Sequence, residues 1–357
     1  MKRLSSLLGV LAVGAVGLAA AQVALGRVST SPAKTRHVTG RIEALAIDGN
    51  RIAYDVGSTL GKANNKVLVW NVLTGKTTTV SGKHTADADE SSTGSGVFEL
   101  AIAATRVAWM MNEGGNLEGD DYLLTSSTTK PHERQVAMEQ RLGENCPGRS
   151  QPGCEGDWLG GLVGSGSLLA VNRWTTDGNG ALAGGGLYLI DGTKLKQIGG
   201  VDTVQAAAAD GGRVLVLRSD GTVAMYSSSG ALLRTVTPSS AGAVALSGHN
   251  LVVLTKTRTL ELYYAPSGSG LKSFPLHGSQ APGNLDVQRN LAIYSAGGSV
   301  HALNLGNGKD RVVGKLRGGI GLARIGTGGV VYTNSSLASK GTLVFAPWAR
   351  VAAAVAG

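Results

Sequence analysis

Few groupings in these 357 residues have the types and spacing for chemistry. The richest is Glu113-Gly-Gly-Asn-Leu-Glu118-Gly-Asp120-Asp121, four carboxylates among flexible glycines. Calcium takes six to eight oxygens, so the run invites a metal reading. It lacks the Asp-x-Asp-x-Asp-Gly order of a dedicated calcium loop. In a strand, moreover, Asp120 and Asp121 would point to opposite faces. Its plain reading is a solvated turn. The six histidines (His37, His84, His132, His249, His277, His301) fall in different stretches without ligand spacing. Gly164-Ser-Gly-Ser167 has only the composition of a nucleophile elbow and reads as a hairpin turn. Glycine clusters such as Gly184-Gly185-Gly186 precede strands, whereas a phosphate cradle needs a helix N-terminus behind it. Glu99 is the best lone acid, expected on an innermost strand facing a channel, but one acid without a partner is no mechanism. We therefore assign no catalytic residue, no metal ligand and no cofactor. Asp89, Glu90, Glu118, Asp120 and Asp121 are kept as ligand-face candidates.

The two cysteines, Cys146 and Cys154, lie in a Pro/Gly-rich stretch and read as a local disulfide of an exported chain. A zinc site would need two further ligands nearby, and His132 has no partner at that spacing. Export is read from the N-terminus. Met1-Lys2-Arg3 precedes an uncharged apolar run, Leu4 to Ala21, ending in three alanines, so cleavage after Ala21 is expected. The alternative is a retained anchor, because Leu4 to Leu25 is nearly long enough to span a bilayer. Residues 22–34 then form a linker, and the secreted or periplasmic side of the cell envelope is the expected location.

Composition narrows the class further. Hydrophobic residues at 42% and charged residues at 16% indicate a packed globule, and 54 glycines indicate many turns. Aromatics at 4% exclude a stacking platform or a ring-lined carbohydrate cleft. The net charge of +9 is uneven. Residues 84–121 hold one basic residue, Arg106, against eight acidic ones, while 158–357 hold 17 basic against 8 acidic. A basic surface attracts anionic polymers, but here the cations are scattered singly and read as solvated surface charge.

The elements that must carry these residues repeat. An apolar run, a tight turn and a β-branched run recur as Leu45-Ala-Ile-Asp-Gly-Asn-Arg-Ile-Ala-Tyr54, Leu100-Ala-Ile-Ala-Ala-Thr-Arg-Val-Ala-Trp109 and Ala207-Ala-Ala-Asp-Gly-Gly-Arg-Val-Leu-Val216. Further copies begin near 162, 244, 285 and 322, which makes seven. The later spacings, near 40 residues, match a propeller blade. Second hairpins such as Val67-Leu-Val-Trp-Asn-Val-Leu-Thr-Gly-Lys76 follow the copies. The pattern predicts an all-β, seven-bladed propeller of four-stranded antiparallel blades over 35–348. Small residues suit the crowded innermost strands, and Arg36–Arg41 is expected to return as the outer strand of the last blade, closing the ring. A β-sandwich with a second domain is the alternative. The apolar tail 349–357 is too short to span a membrane.

The stretches Asp48-Gly-Asn-Arg-Ile-Ala-Tyr54 and Val67 to Lys76 resemble exported TolB-like and WD-repeat propellers of bacteria, loosely over 42–346. The resemblance implies a binding scaffold rather than a given chemistry. If the four strands of a blade are A to D from the centre outward, A–B and C–D turns share one face of the ring. The longer segments 58–65, 81–96, 112–119, 137–157 and 175–185 all fall as B–C or D–A connections around blades 1 to 3, and that face is the expected binding face. The expected function is a non-enzymatic envelope scaffold, monomeric, binding a protein or ligand that the sequence does not identify. Nucleic acid and a stable membrane span after signal cleavage are not expected. The alternatives are a hydrolase or lyase with an unrecognised site, and a binder of anionic cell-wall polymer.

Overall fold

Alternating β-branched and small residues fold each repeat into four antiparallel strands, and seven such sheets stand side by side in a ring. The computed structural model describes residues 31–57, 64–82, 84–85, 95–114, 118–142, 155–177, 181–200, 203–276, 283–316, 321–333 and 340–356. Blade 1 comprises Leu45–Asp48, Arg51–Val56, Asn64–Asn71 and Thr77–Thr79. Blade 2 comprises Ser95–Ala103, Arg106–Gly114, Glu118–Ser127 and Arg134–Leu142. Blade 3 comprises Glu155–Ser165, Leu168–Thr176, Leu182–Asp191 and Lys194–Gln197. Blades 4, 5 and 6 occupy 203–236, 241–275 and 283–315. Each inner strand touches the next around the ring, and the last touches the first.

Closure follows the expected route. Lys34–Thr39 pairs antiparallel with Lys340–Pro347 as the outer strand of blade 7, inside which lie Gly329–Thr333 and Ala323–Gly326. Blade 7 thus takes its outer strand from the other end of the sequence, and its third strand runs on into the helix Trp348–Ala354. That helix packs over the joint of blades 6 and 7 with Val351 and Val355 buried. Asn304 and Asn307 hold its end, both donating to the Val355 carbonyl, at 3.3 and 3.4 Å. No described helix is long and apolar enough to cross a membrane.

Apolar side chains alternate into the two joints that flank each blade. Trp109, Met111 and Leu124 of blade 2 meet Val67 and Val69 of blade 1, while Met110 and Leu123 meet Leu159 and Val171 of blade 3. Close approach at the centre explains the small inner residues: a Cβ on Gly164 would lie 2.9 Å from the Ile102 carbonyl oxygen of the neighbouring inner strand.

The recurrent turn is a fastener between blades. Asp48 accepts the Ala104 N–H of the next A–B turn at 2.5 Å, while Arg51 donates to the Ala104 carbonyl at 3.5 Å. Asp210 and Arg213 grip the N–H and carbonyl of Gly248 in the same way, at 2.5 and 2.6 Å. Ser247 and Asn250 grip those of Arg289, at 3.0 and 2.6 Å. The gripped residue sits at φ 52°, 56° and 54° respectively, a left-handed conformation that suits Gly248 and is strained at Ala104 and Arg289. At the joint of blades 2 and 3 the fastener changes, with Arg106 donating to the carbonyls of Ser167 and Ile190. An Asp or Ser before the turn and an Arg or Asn after it are therefore structural.

The segments expected as long connections are shorter than the sequence suggested. Strand pairing continues through Glu113↔Asp120 and Gly114↔Gly119, and Arg134–Leu142 and Glu155–Ser165 run deep into 137–157. A hairpin that keeps its backbone hydrogen bonds is extended rather than looped out.

Candidate functional site

Strands of blades 2 and 3 are mostly 9 to 11 residues long, against 5 to 8 in blades 4 to 6. The A–B turns are fastened at a common level, so the extra residues project at the B–C and D–A end. Three residues at 3.3 Å each raise this edge by about 10 Å. There Arg141↔Gly156 and Leu142↔Glu155 pair the outer strand of blade 2 with the inner strand of blade 3. The two blades become one eight-stranded sheet.

A polar seam fills the joint beneath this edge. Asp121 stands opposite Asn112 on one neighbouring strand and Glu139 on the other. Asn112 Nδ2 donates to Asp121 Oδ1 at 2.9 Å. Arg173 of blade 3 reaches across, with Nε 2.6 Å from Glu139 Oε1 and Nη2 3.2 Å from Asp157 Oδ2. Thr175 donates to Asp157 from the same strand. Asp121 and Glu139 are almost fully buried, whereas the side chains of Arg173 and Asp157 are 39% and 34% exposed. Burial pushes the Glu139 carboxyl above its ordinary range, Arg173 pulls it back, and Asp157 pushes the same way as burial. Two carboxylates, Glu139 and Asp157, share one guanidinium, and Asp121 is held beside them by Asn112, so a half-exposed polar rim rests on a buried acidic layer. The seam braces the raised edge and presents Arg173 and Asp157 to solvent.

The ligand-face candidates divide. Asp121 belongs to the seam. Asp120 lies on the opposite side of its strand, where Tyr122 Oη donates to it at 3.4 Å, so the two do not form one patch. Glu118 is the first residue of its strand. Asp89, Glu90, Cys146 and Cys154 lie outside the described residues, as does the N-terminal stretch 1–30. Sequence reasoning missed Glu139, Asp157 and Arg173. Each reads as ordinary strand-surface charge, and only the pairing of blades brings them together.

The channel at the centre encloses about 530 Å³ and is lined by inner strands of all seven blades. Glu99 lines it, as the sequence suggested, and accepts the N–H groups of Gly161 and Leu162 in the next blade at 3.2 and 2.5 Å. Those two residues form an irregularity in the A–B pairing of blade 3, so Glu99 supports backbone that the ladder does not. Asp286 does likewise for Ile325, at 3.0 Å. Beside the channel, Asp55 is fully buried, and its Oδ1 accepts from Glu43 N and Ala44 N, both at 2.7 Å. Burial pushes the Asp55 carboxyl up to about 7 against those two bonds, with the Glu43 charge adding to the rise. Such a value suits proton transfer, but a sealed carboxyl cannot meet a substrate. Asp55 anchors the segment that leads from the closing strand into blade 1. Among the described residues, no group of three or more His, Cys, Asp or Glu is placed to hold a metal ion.

No protein-family model matches this chain, and no curated protein does. Among solved structures it is similar to Sqt1 of Saccharomyces cerevisiae, with a TM-score of 0.46, 10% identity and coverage of 89% of this chain and 98% of that one. It is also similar to the computationally designed Ika8 protein (TM-score 0.45, 15% identity, 87% and 98% covered). A third is BamB from Moraxella catarrhalis (TM-score 0.41, 13% identity, 86% of each chain covered). Likenesses of this size carry no information about function.

Proposed function

We propose that this propeller is an exported binding scaffold of the cell envelope, akin to TolB-like propellers, which takes a protein or ligand on the B–C and D–A face over blades 1 to 3. The carrying observation is the raised, continuous edge of blades 2 and 3, with the half-exposed Arg173 and Asp157 at its rim. Four connections, 58–63, 86–94, 115–117 and 143–154, join strand ends on this same face around blades 1 to 3. Function on a rigid scaffold concentrates in such connections. A photo-crosslinking residue at Gln140, exposed on the raised edge, should trap a defined partner from envelope extract. The same group at Lys256, on the same face of blade 5, should not. Equal trapping from both positions would refute the assignment of the face.

A further inference from the structure

The opposite face of the ring, made by the A–B and C–D turns and the C-terminal helix, has a different chemistry. Lys34, Lys76, Lys130, Lys194, Arg289 and Arg350 are all exposed there. Among the described residues the exposed acid of these turns is Asp191, while Asp48, Glu133, Asp210 and Asp310 are half-buried, and the first three each accept a backbone N–H. Lysines within edge strands guard against edge pairing, but Lys76, Lys130, Arg289 and Arg350 lie in turns and the helix, where no strand edge needs guarding. Apolar groups share this end. Of the seven exposed large hydrophobics among the described residues, five sit in a C–D turn or in the turn-side half of outer strands, and Tyr264 ends a third strand beside such a turn. Leu73 is 69% exposed in the blade 1 turn, and Leu232 and Leu233 open the outer strand of blade 4.

The chain also leaves the ring here. Lys34, the first residue of the closing strand, donates through Nζ to the Val72 carbonyl, beside Leu73. Ahead of it, in the linker expected to remain after cleavage at Ala21, stands the basic Arg27. The other face carries Glu113, Asp120 and Asp157 at its raised edge, the last paired with Arg173, and its exposed lysines Lys66, Lys256 and Lys340 lie on other blades.

From these we infer that the turn face docks on an anionic lipid surface, which leaves the raised edge of blades 2 and 3 directed away from the bilayer. A ring face is broad and level enough for several turns to meet a bilayer together, and basic groups with scattered apolar side chains are what an anionic interface holds. The acidic edge is repelled from the same surface.

The test is partition of the full chain onto vesicles of neutral phosphatidylcholine and of a mixture with phosphatidylglycerol. Stronger binding to the anionic vesicles is expected. Lys76→Glu, Lys194→Glu and Arg350→Glu together should lower it by about a hundredfold, at roughly fivefold for each cation removed. Lys66→Glu, Lys256→Glu and Lys340→Glu, on the other face, should change it little. Equal binding to both vesicle types, as when the N-terminal apolar run alone is responsible, overturns the proposal, and so does an equal loss in the two triple variants. Should the first variant fail to fold, acetylation of the unaltered chain decides. Anionic vesicles should shield Lys76, Lys130 and Lys194 and leave Lys66, Lys256 and Lys340 reactive, whereas uniform labelling contradicts the docking.

Discussion

Blades 2 and 3 and blades 4 to 6 use related turn chemistry and similar apolar joints, yet they are built to different heights. In the later blades, Leu215, Met225 and Val253 fill one joint and Leu262, Tyr294 and Leu303 the next. Blades 2 and 3 have such a layer too, but above it they add the seam of Asn112, Asp121, Glu139, Asp157 and Arg173 and a shared sheet. Apolar packing holds the ring together everywhere. The added polar storey is confined to the face proposed to bind. A propeller can therefore elaborate one sector without disturbing its closure.

The largest effect should come from the layer both regions share. Trp109→Ala removes a fully buried ring from the joint of blades 1 and 2 and should cost about 3–5 kcal/mol in denaturant unfolding. Leu215→Ala in blade 4 should fall in a similar range, about 2–5 kcal/mol. A much smaller cost in either sector would mean that the ring is not uniformly packed.

Asp55 supplies a pH test on the blade 1 side. Its folded-state carboxyl titrates near 7, above the ordinary 3.8, so the fold favours the protonated form. Its contribution is intact below about pH 4 and is lost as pH rises through 7, a change of about 4 kcal/mol. The stability of wild type relative to Asp55→Asn should therefore rise by up to that amount between pH 8 and pH 4. A constant difference across that range contradicts the burial argument.

The seam itself should matter less for stability. Arg173→Met leaves Glu139 without its cation and should cost about 1–2 kcal/mol, given the exposure of Arg173. The loss should be greatest near neutral pH and shrink in acid, where Glu139 takes up a proton. Smallest is Ala104→Gly, which should stabilise by about 0.5–1 kcal/mol because the fastener holds position 104 in the left-handed region. If thermal melts show no gain, the strain is absent.

What the sequence made legible is what repeats. The Asp-Gly-x-Arg turns located the A–B hairpins, and their role as fasteners explains why Arg51, Arg106, Arg213 and Asn250 recur at one position. The closing strand was legible because the seventh repeat was one strand short. The height of blades 2 and 3 was not, since Glu113, Asp120 and glycine look like loop until cross-strand pairing is known. Nor was the seam. Glu139 and Arg173 are 34 positions apart and meet only because the outer strand of one blade joins the inner strand of the next. Glu99 was found for its place at the channel, but its work, holding the N–H groups of Gly161 and Leu162, depends on an irregularity that no periodicity reveals.

The most direct test of the binding face is a comparative pull-down from envelope extract. It sets the full chain against a variant with 86–94 and 143–154 replaced by short Gly-Ser links, with ring integrity checked by thermal unfolding. A specific partner held by the full chain and lost by the folded variant is the predicted result. Retention of the same partner by the shortened ring would contradict a binding site on the raised face over blades 1 to 3.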